Sequence, residues 1–247
     1  MNIALFSAKP YDKKYFEAAE ASRSHQGGIR VLYHDVSLTD DTAALAEGAD
    51  AVCVFVNDAL GGSVMAKLAR HGVTAILLRC AGHNNVDLRA AEEHGIAVAN
   101  VPSYSPEAVA EFAVALIQTL NRNTHRAYNR VREGNFALDG LLGRTLHGKT
   151  VGFVGTGRIG VAAARIMKGF GCRVVAHDPF PSPAFEELGG EYRSLDELLP
   201  ECDFVSLHCP LTDATRHIIN ADVRFPQPIR GSIPGLRSGV TPKGLLP

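Results

Sequence analysis

A glycine-rich turn stands between an apolar run and an alanine-rich segment in the second half of the chain. The run is Val151–Val154, the turn reads Gly155-Thr156-Gly157-Arg158-Ile159-Gly160, and the segment that follows ends at Gly169. This pattern predicts a buried strand, a tight turn and a helix: Gly155 permits the turn, Gly157 allows close backbone approach, and Gly160 lets the helix pack against the strand. The N-terminus of such a helix presents free N–H groups that favour a bound pyrophosphate.

An acidic residue stands where the next strand is expected to end. The apolar run Cys172–Ala176 is followed by Asp178, which lies 18 residues after Gly160. A carboxylate at this position accepts hydrogen bonds from the adenosine ribose and repels a 2′-phosphate, so the pattern predicts NAD rather than NADP. An ordinary strand–turn–helix with incidental glycines is the plain alternative, and the strand, the helix and the acid together favour the dinucleotide site.

Composition narrows the kind of protein. A chain of 247 residues with 46% hydrophobic residues can form one large or two modest cores, and its net charge of −1 gives no electrostatic reason to expect nucleic acid or an acidic membrane as partner. No apolar run is long enough to span a membrane, and the apolar start is too short for a signal peptide. Five scattered cysteines without a CxxC pair predict free thiols in a reducing cytoplasm and no metal site.

Apolar runs alternate with helical patterns from the start of the chain. This alternation predicts an α/β fold in which helices cover parallel sheets. We expect a first domain over residues 1–102 and a second over 103–222, with a ligand site in the cleft between them. The tail, 223–247, is rich in proline and glycine, contains no acid and has no helical or strand period, so we expect it to be disordered.

The segment after Val101 predicts a long helix. Ser105 suits the N-cap and Pro106 suits the first turn. Residues 107–122 are strongly apolar and are expected to be largely buried, whereas the basic residues 122–132 are expected to continue the helix in solvent.

Six stretches carry a resemblance to a known family. They are RCAGHNNVDL (79–88), NVPSYSPEAVAEFAV (100–114), LNRNTHRAYNRVREGNF (120–136), HGKTVGFVGTGRIG (147–160), MKGFGCRVVAHDPFPSP (167–183) and SLHCPLTDATRHIIN (206–220). Through them, residues 1–222 resemble the D-isomer-specific 2-hydroxyacid dehydrogenases, and within that family the bacterial D-lactate dehydrogenases. The resemblance implies two Rossmann-like parallel-sheet domains, one flavodoxin-like and one NAD-binding, with the second incomplete. It also implies NADH-dependent reduction of a small 2-keto acid to a D-2-hydroxy acid, by a homo-oligomer in the full-length family form.

The resemblance assigns contacts to particular residues. Arg158 and Ile159 are expected to contact the pyrophosphate, and Asp178 the adenosine ribose. The adenine–ribose side is expected to be lined by Cys209, Pro210 and Thr215. In the first domain, the Ala81 and Gly82 N–H groups are expected to hold the substrate carboxylate, and Tyr104 to reach into the same pocket. Without the resemblance, Gly82 could be a turn glycine and Cys209 a core thiol.

The sequence departs from the family after Asp222. The family uses an arginine that orients the keto acid, a glutamate, and a histidine that protonates the carbonyl oxygen, and no stretch here matches the segments that carry them. We therefore assign no catalytic residue and expect a truncated or frameshifted, impaired dehydrogenase. A non-catalytic NAD-binding regulatory or assembly protein is the alternative, and the substrate within the 2-hydroxy acids stays open.

Overall fold

The computed structural model describes residues 1–22 and 28–220. Its internal contacts divide the chain into two compact units, with the division between Tyr104 and Ser105. Each unit contains one parallel sheet, so the predicted α/β class with two parallel sheets is confirmed. The segment 223–247, which we expected to be disordered, lies outside the described residues.

Five strands and three helices form the described part of the first unit, residues 1–22 and 28–104. They are β1 (Asn2–Leu5), α1 (Pro10–Ser22), β2 (Arg30–Tyr33), β3 (Ala51–Val54), α2 (Gly62–Arg70), β4 (Ala75–Leu78), α3 (Leu88–Glu93) and β5 (Ala97–Ala99), with a 3₁₀ helix at Ala43–Ala46. The strands are parallel and lie in the order β2-β1-β3-β4-β5, which is the flavodoxin-like order.

Alternation along the strands gives each face of the first sheet its own core. Ala4 of β1 lies in the same cluster as Met65 of α2, whereas Leu5 packs with Phe16 of α1 on the opposite face. Both faces are covered, because βαβ connections place helices on both sides of a parallel sheet. This is why the strands are continuous apolar runs in the sequence.

Four strands and five helices form the described part of the second unit. They are α4 (Pro106–Arg122), α5 (Thr124–Arg132), β6 (Thr150–Val154), α6 (Arg158–Gly169), β7 (Arg173–His177), α7 (Pro183–Glu186), β8 (Glu191–Tyr192), α8 (Leu195–Glu201) and β9 (Phe204–Leu207). The strands are parallel in the order β8-β7-β6-β9, so the direction of strand addition reverses between β6 and β9. In open α/β sheets, ligands bind outside the carboxyl ends of the strands at such a reversal.

The prediction that residues 107–122 are largely buried is wrong. Ala110 and Val114 of α4 are buried with α6 in the core of the second unit, but Phe112, Leu116 and Leu120 are 66%, 47% and 52% exposed. The three exposed residues are spaced by four along the helix and form one apolar stripe. No described helix is both long and apolar enough to cross a membrane.

The basic segment after Arg122 does not continue α4. Asn123 adopts a left-handed conformation with φ of 54° and ends the helix, as asparagine can at this position. The next helix, α5, begins at Thr124 and has no buried residue, which agrees with its predicted solvent exposure.

Candidate functional site

The carboxyl ends of β6 and β9 meet at the reversal of the second sheet. Gly155 follows β6 directly, and His208 follows β9. The His208 N–H donates to the Val154 carbonyl oxygen at 2.8 Å, which ties the two strand ends together. Helix α6 begins at Arg158, so its N-terminus lies in the turn that leaves this edge.

Two glycines allow the close packing at this edge. Gly155 has φ of +101°, and a Cβ on it would lie 2.7 Å from the carbonyl carbon of His208. A Cβ on Gly160 would fall on the Gly155 carbonyl oxygen, so helix α6 approaches the turn as closely as backbone atoms permit. In contrast, a Cβ on Gly157 would meet nothing within 4 Å, which leaves open space beside the turn. This open space beside bare backbone fits a pyrophosphate.

The first turn of α6 offers backbone donors without side-chain competition. Its N-cap is Gly157, which supplies no side-chain cap for the free N–H groups. Arg158 is exposed at the first helical position, while Ile159 is half-buried and packs against the core. The predicted pyrophosphate contacts thus lie where an anion would meet N–H groups and the positive end of the helix.

Asp178 lies after the end of β7 and is already engaged with backbone donors. Its Oδ2 accepts from the Thr156 N–H at 2.6 Å and from the Thr156 hydroxyl at 3.0 Å, and its Oδ1 accepts from the Phe180 N–H at 2.8 Å. Burial raises the pKa of Asp178, but these hydrogen bonds outweigh burial and hold the pKa below its usual value. Asp178 is therefore a carboxylate at neutral pH.

His208 lies beside the turn as a neutral imidazole. Burial lowers its pKa. Its Nε2 lies 2.9 Å from the Ser206 hydroxyl, and its ring stacks on Phe153 with centroids 6.0 Å apart. These contacts account for the residue as part of the packing at the end of β9.

The remaining predicted cofactor residues follow β9. Cys209 is half-buried, Pro210 is exposed, and the Thr215 hydroxyl donates to the Pro210 carbonyl oxygen at 2.6 Å. The structure therefore brings Cys209, Pro210 and Thr215 to the same sheet edge as the glycine turn. Sequence reasoning missed Tyr192, whose hydroxyl donates to Thr156 at 2.9 Å, because nothing in the surrounding residues distinguishes it.

In the first unit, Ala81 and Gly82 lie in the loop after β4. Their N–H groups donate no hydrogen bond to another described residue. The Ala81 carbonyl oxygen accepts from the Asn100 side-chain amide at 2.7 Å, and the Cys80 carbonyl oxygen accepts from the Val101 N–H at 3.2 Å. In a planar trans peptide the N–H points opposite to the carbonyl. The two anchored carbonyls therefore direct the Ala81 and Gly82 N–H groups away from residues 100–101.

The Arg79 side chain, which is 11% exposed, fixes the start of this loop. The Arg79 guanidinium pairs with Asp12 at 3.4 Å and donates to the Phe6 and Ser7 carbonyl oxygens at 3.1 and 3.3 Å. These contacts tie the end of β4 to the end of β1. Tyr104 ends the first unit, is 69% exposed, and makes no hydrogen bond through its side chain to another described residue.

Known proteins resemble most of this chain. Residues 114–224 match the family described as D-isomer specific 2-hydroxyacid dehydrogenase, NAD binding domain. D-lactate dehydrogenase kk1H from Curvularia clavata is 63% identical over 220 residues, which cover 89% of this chain and 63% of that relative. The apo-structure of D-lactate dehydrogenase from Escherichia coli has 52% identity and a TM-score of 0.82, and the match covers 90% of this chain and 69% of that one.

A structure that contains a cofactor is also similar. D-lactate dehydrogenase from Aquifex aeolicus, complexed with NAD and lactic acid, has 33% identity and a TM-score of 0.75 over 89% of this chain and 64% of that one. The match to an NAD binding domain and the fit of the glycine turn identify NAD as the cofactor of the second unit.

The close packing at the glycine turn predicts that a side chain at Gly160 weakens cofactor binding. We expect Gly160→Ala to weaken NADH binding more than tenfold, because its methyl group would push α6 away from the Gly155 carbonyl oxygen and displace the helix N-terminus. Fluorescence titration with NADH measures the effect.

Gly169→Ala, at the other end of α6, is the matched control. Its Cβ would meet nothing within 4 Å, so NADH affinity is expected to stay unchanged. Equal affinity in Gly160→Ala and the unmodified protein would contradict the role given to the turn.

Proposed function

The chain belongs to the D-isomer specific 2-hydroxyacid dehydrogenase family, and on this premise we propose that it is an NAD-dependent oxidoreductase for a small 2-keto acid and the corresponding D-2-hydroxy acid. Pyruvate and D-lactate are the pair we propose, because the Curvularia clavata and Escherichia coli relatives are named D-lactate dehydrogenases. The observation that carries the proposal is the Gly155–Gly160 turn with the ionised Asp178 at the end of the next strand.

The second unit is proposed to hold the cofactor. The backbone at Gly155, Gly157 and Gly160 with Arg158 and Ile159 would hold the pyrophosphate, and Asp178 the adenosine ribose. The adenine–ribose side would be lined by Cys209, Pro210 and Thr215. When bound, the nicotinamide supplies or accepts the hydride.

The first unit is proposed to hold the substrate carboxylate. The paired N–H groups of Ala81 and Gly82 supply two donors whose direction Asn100 and Val101 fix, and the ion pair between Arg79 and Asp12 holds the start of the loop. An oxyanion gains from donors that are oriented before it binds, since it then costs little further reorganisation. Tyr104 is proposed to close the same pocket.

A non-catalytic NAD-binding regulator is not favoured, because the relatives described above are named as dehydrogenases. The proposed compartment is the reducing cytoplasm. Cys53, Cys80, Cys172 and Cys202 are buried free thiols, and Cys209 is a half-buried one.

We propose self-association through the exposed face of α4. Phe112, Leu116 and Leu120 form its apolar stripe. Glu111 and Arg122 stand eleven positions apart, which is close to three full turns, so they lie on one side of the helix. A second copy packed antiparallel would bring each carboxylate to the other copy's guanidinium, as an isologous contact requires.

The carboxylate site predicts a loss of substrate affinity in Asn100→Ala. Without the amide, the Ala81 carbonyl is released and the Gly82 N–H loses its fixed direction. We expect about fivefold to tenfold weaker pyruvate binding to the NADH-saturated protein, the equivalent of one hydrogen bond, with unchanged NADH affinity. NADH fluorescence during pyruvate titration measures both. Asn57→Ala, an exposed asparagine of the same unit, is the control, and an equal loss of NADH affinity would contradict the assignment.

The apolar stripe predicts self-association that one charge disrupts. In sedimentation experiments at micromolar concentration, we expect the protein to sediment as a dimer or larger species. Leu116→Glu would place an unpaired carboxylate in the contact and weaken association at least about tenfold. Leu45→Glu is the control, since Leu45 is 45% exposed in the first unit. A monomer at all concentrations would contradict the proposal.

A further inference from the structure

A chain of hydrogen bonds ends on Asp178. The Ser182 N–H donates to the Tyr192 hydroxyl at 2.7 Å, Tyr192 donates to the Thr156 hydroxyl at 2.9 Å, and Thr156 donates to Asp178 Oδ2 at 3.0 Å. The Thr156 N–H donates to the same oxygen at 2.6 Å. Thr156 is 3% exposed, so the middle of this chain is shielded from water.

The donor-to-acceptor direction of these hydrogen bonds is fixed at both ends of the series. The backbone N–H of Ser182 can only donate, and an ionised carboxylate can only accept. Each hydroxyl between them must therefore accept from one neighbour and donate to the next. A proton on Asp178 Oδ2 would need an acceptor, and the Thr156 N–H and the Thr156 hydroxyl both point donors at this oxygen. This series of hydrogen bonds therefore fits the ionised form of the Asp178 carboxylate.

The two carboxylate oxygens are occupied unequally. Oδ2 accepts two hydrogen bonds from Thr156, which uses both of its lone pairs. Oδ1 accepts one, from the Phe180 N–H at 2.8 Å, and keeps one lone pair. A further donor, such as a ribose hydroxyl, can therefore be accepted only by Oδ1.

The short edge strand β8 places the first hydroxyl of the chain. Tyr192 pairs with Ala176 of β7, and its ring packs on the fully buried Phe185 with centroids 5.3 Å apart. Phe185 in turn meets Phe153 of β6 edge to face. The core therefore holds the Tyr192 ring in place, and the hydroxyl of this side chain makes hydrogen bonds with Ser182 and Thr156.

We propose that Tyr192 and Thr156 are positioning residues that hold Oδ2 of Asp178 and so present Oδ1 to the adenosine ribose. The inference rests on the proposed contact between Asp178 and the ribose. It assigns to β8 a part in cofactor selection, although Tyr192 itself does not touch the cofactor. Because the 2′-hydroxyl that Oδ1 would accept from is phosphorylated in NADPH, the arrangement favours NADH and gives NADPH no benefit.

The experiment is a set of fluorescence titrations of the full chain with NADH and with NADPH. Tyr192→Phe keeps the ring and removes the hydroxyl, and we expect a threefold to tenfold weaker NADH affinity, as for one lost hydrogen bond, with NADPH affinity unchanged. Thr156→Val removes the central hydroxyl and is expected to cost about tenfold or more. Thr156→Ser retains the hydroxyl and is expected to stay within about twofold of the unmodified protein. Tyr128→Phe, on exposed helix α5, is the matched control.

A double-mutant cycle separates positioning from general packing. If Tyr192 acts through Asp178, Tyr192→Phe changes nothing when Asp178 is already alanine. The inference is overturned if Tyr192→Phe weakens NADH binding as much in the Asp178→Ala background as it does in the unmodified protein. It is also overturned if Tyr192→Phe weakens NADH and NADPH binding equally. Both results remain readable if Thr156→Val fails to fold. If the unmodified chain binds no NADH, the proposed function fails together with the inference; if it binds NADH and the cycle shows no coupling, only the inference fails.

Discussion

The second unit depends on the absence of side chains between α6 and the ends of two strands. At Gly155 and Gly160 the backbone of the turn, the helix and the segment after β9 approach so closely that no Cβ fits. This approach sets where the helix N-terminus lies, and it holds Thr156 where its N–H and hydroxyl reach Asp178. The proposed pyrophosphate site and the orientation of the carboxylate are thus consequences of one steric constraint.

Both units orient polar groups through anchored neighbours. In the first unit, Asn100 and Val101 bind carbonyl oxygens and thereby direct the N–H groups of the adjoining peptides. In the second, Thr156 donates to one oxygen of Asp178, and Tyr192 donates to the Thr156 hydroxyl. In each case, the residue proposed to bind a ligand is held in place by residues that do not contact that ligand. Such pre-orientation lowers the cost of binding, because the donors and acceptors need not rearrange.

Helix α4 shows how an apolar sequence can be misjudged. Its apolar composition predicted that residues 107–122 are largely buried, but only the face that carries Ala110 and Val114 packs against α6. Phe112, Leu116 and Leu120 lie on another face and are exposed in the single chain. Hydrophobic residues spaced by three and four positions identify the apolar faces of a helix. This spacing does not show whether an apolar face packs within its own chain or against another chain.

The sequence by itself determined the α/β class, the two units with parallel sheets and the dinucleotide turn, because these depend on local patterns: apolar runs, helical periods and glycines at fixed spacing. The same local information placed Asp178 at the end of β7. Only the tertiary structure decided that Asn100 fixes the loop at Ala81, 19 positions earlier, and that Tyr192 reaches Thr156 across 36 positions. Parallel strands bring their carboxyl ends to one edge whatever the length of chain between them, so contacts made there leave no period or spacing in the sequence.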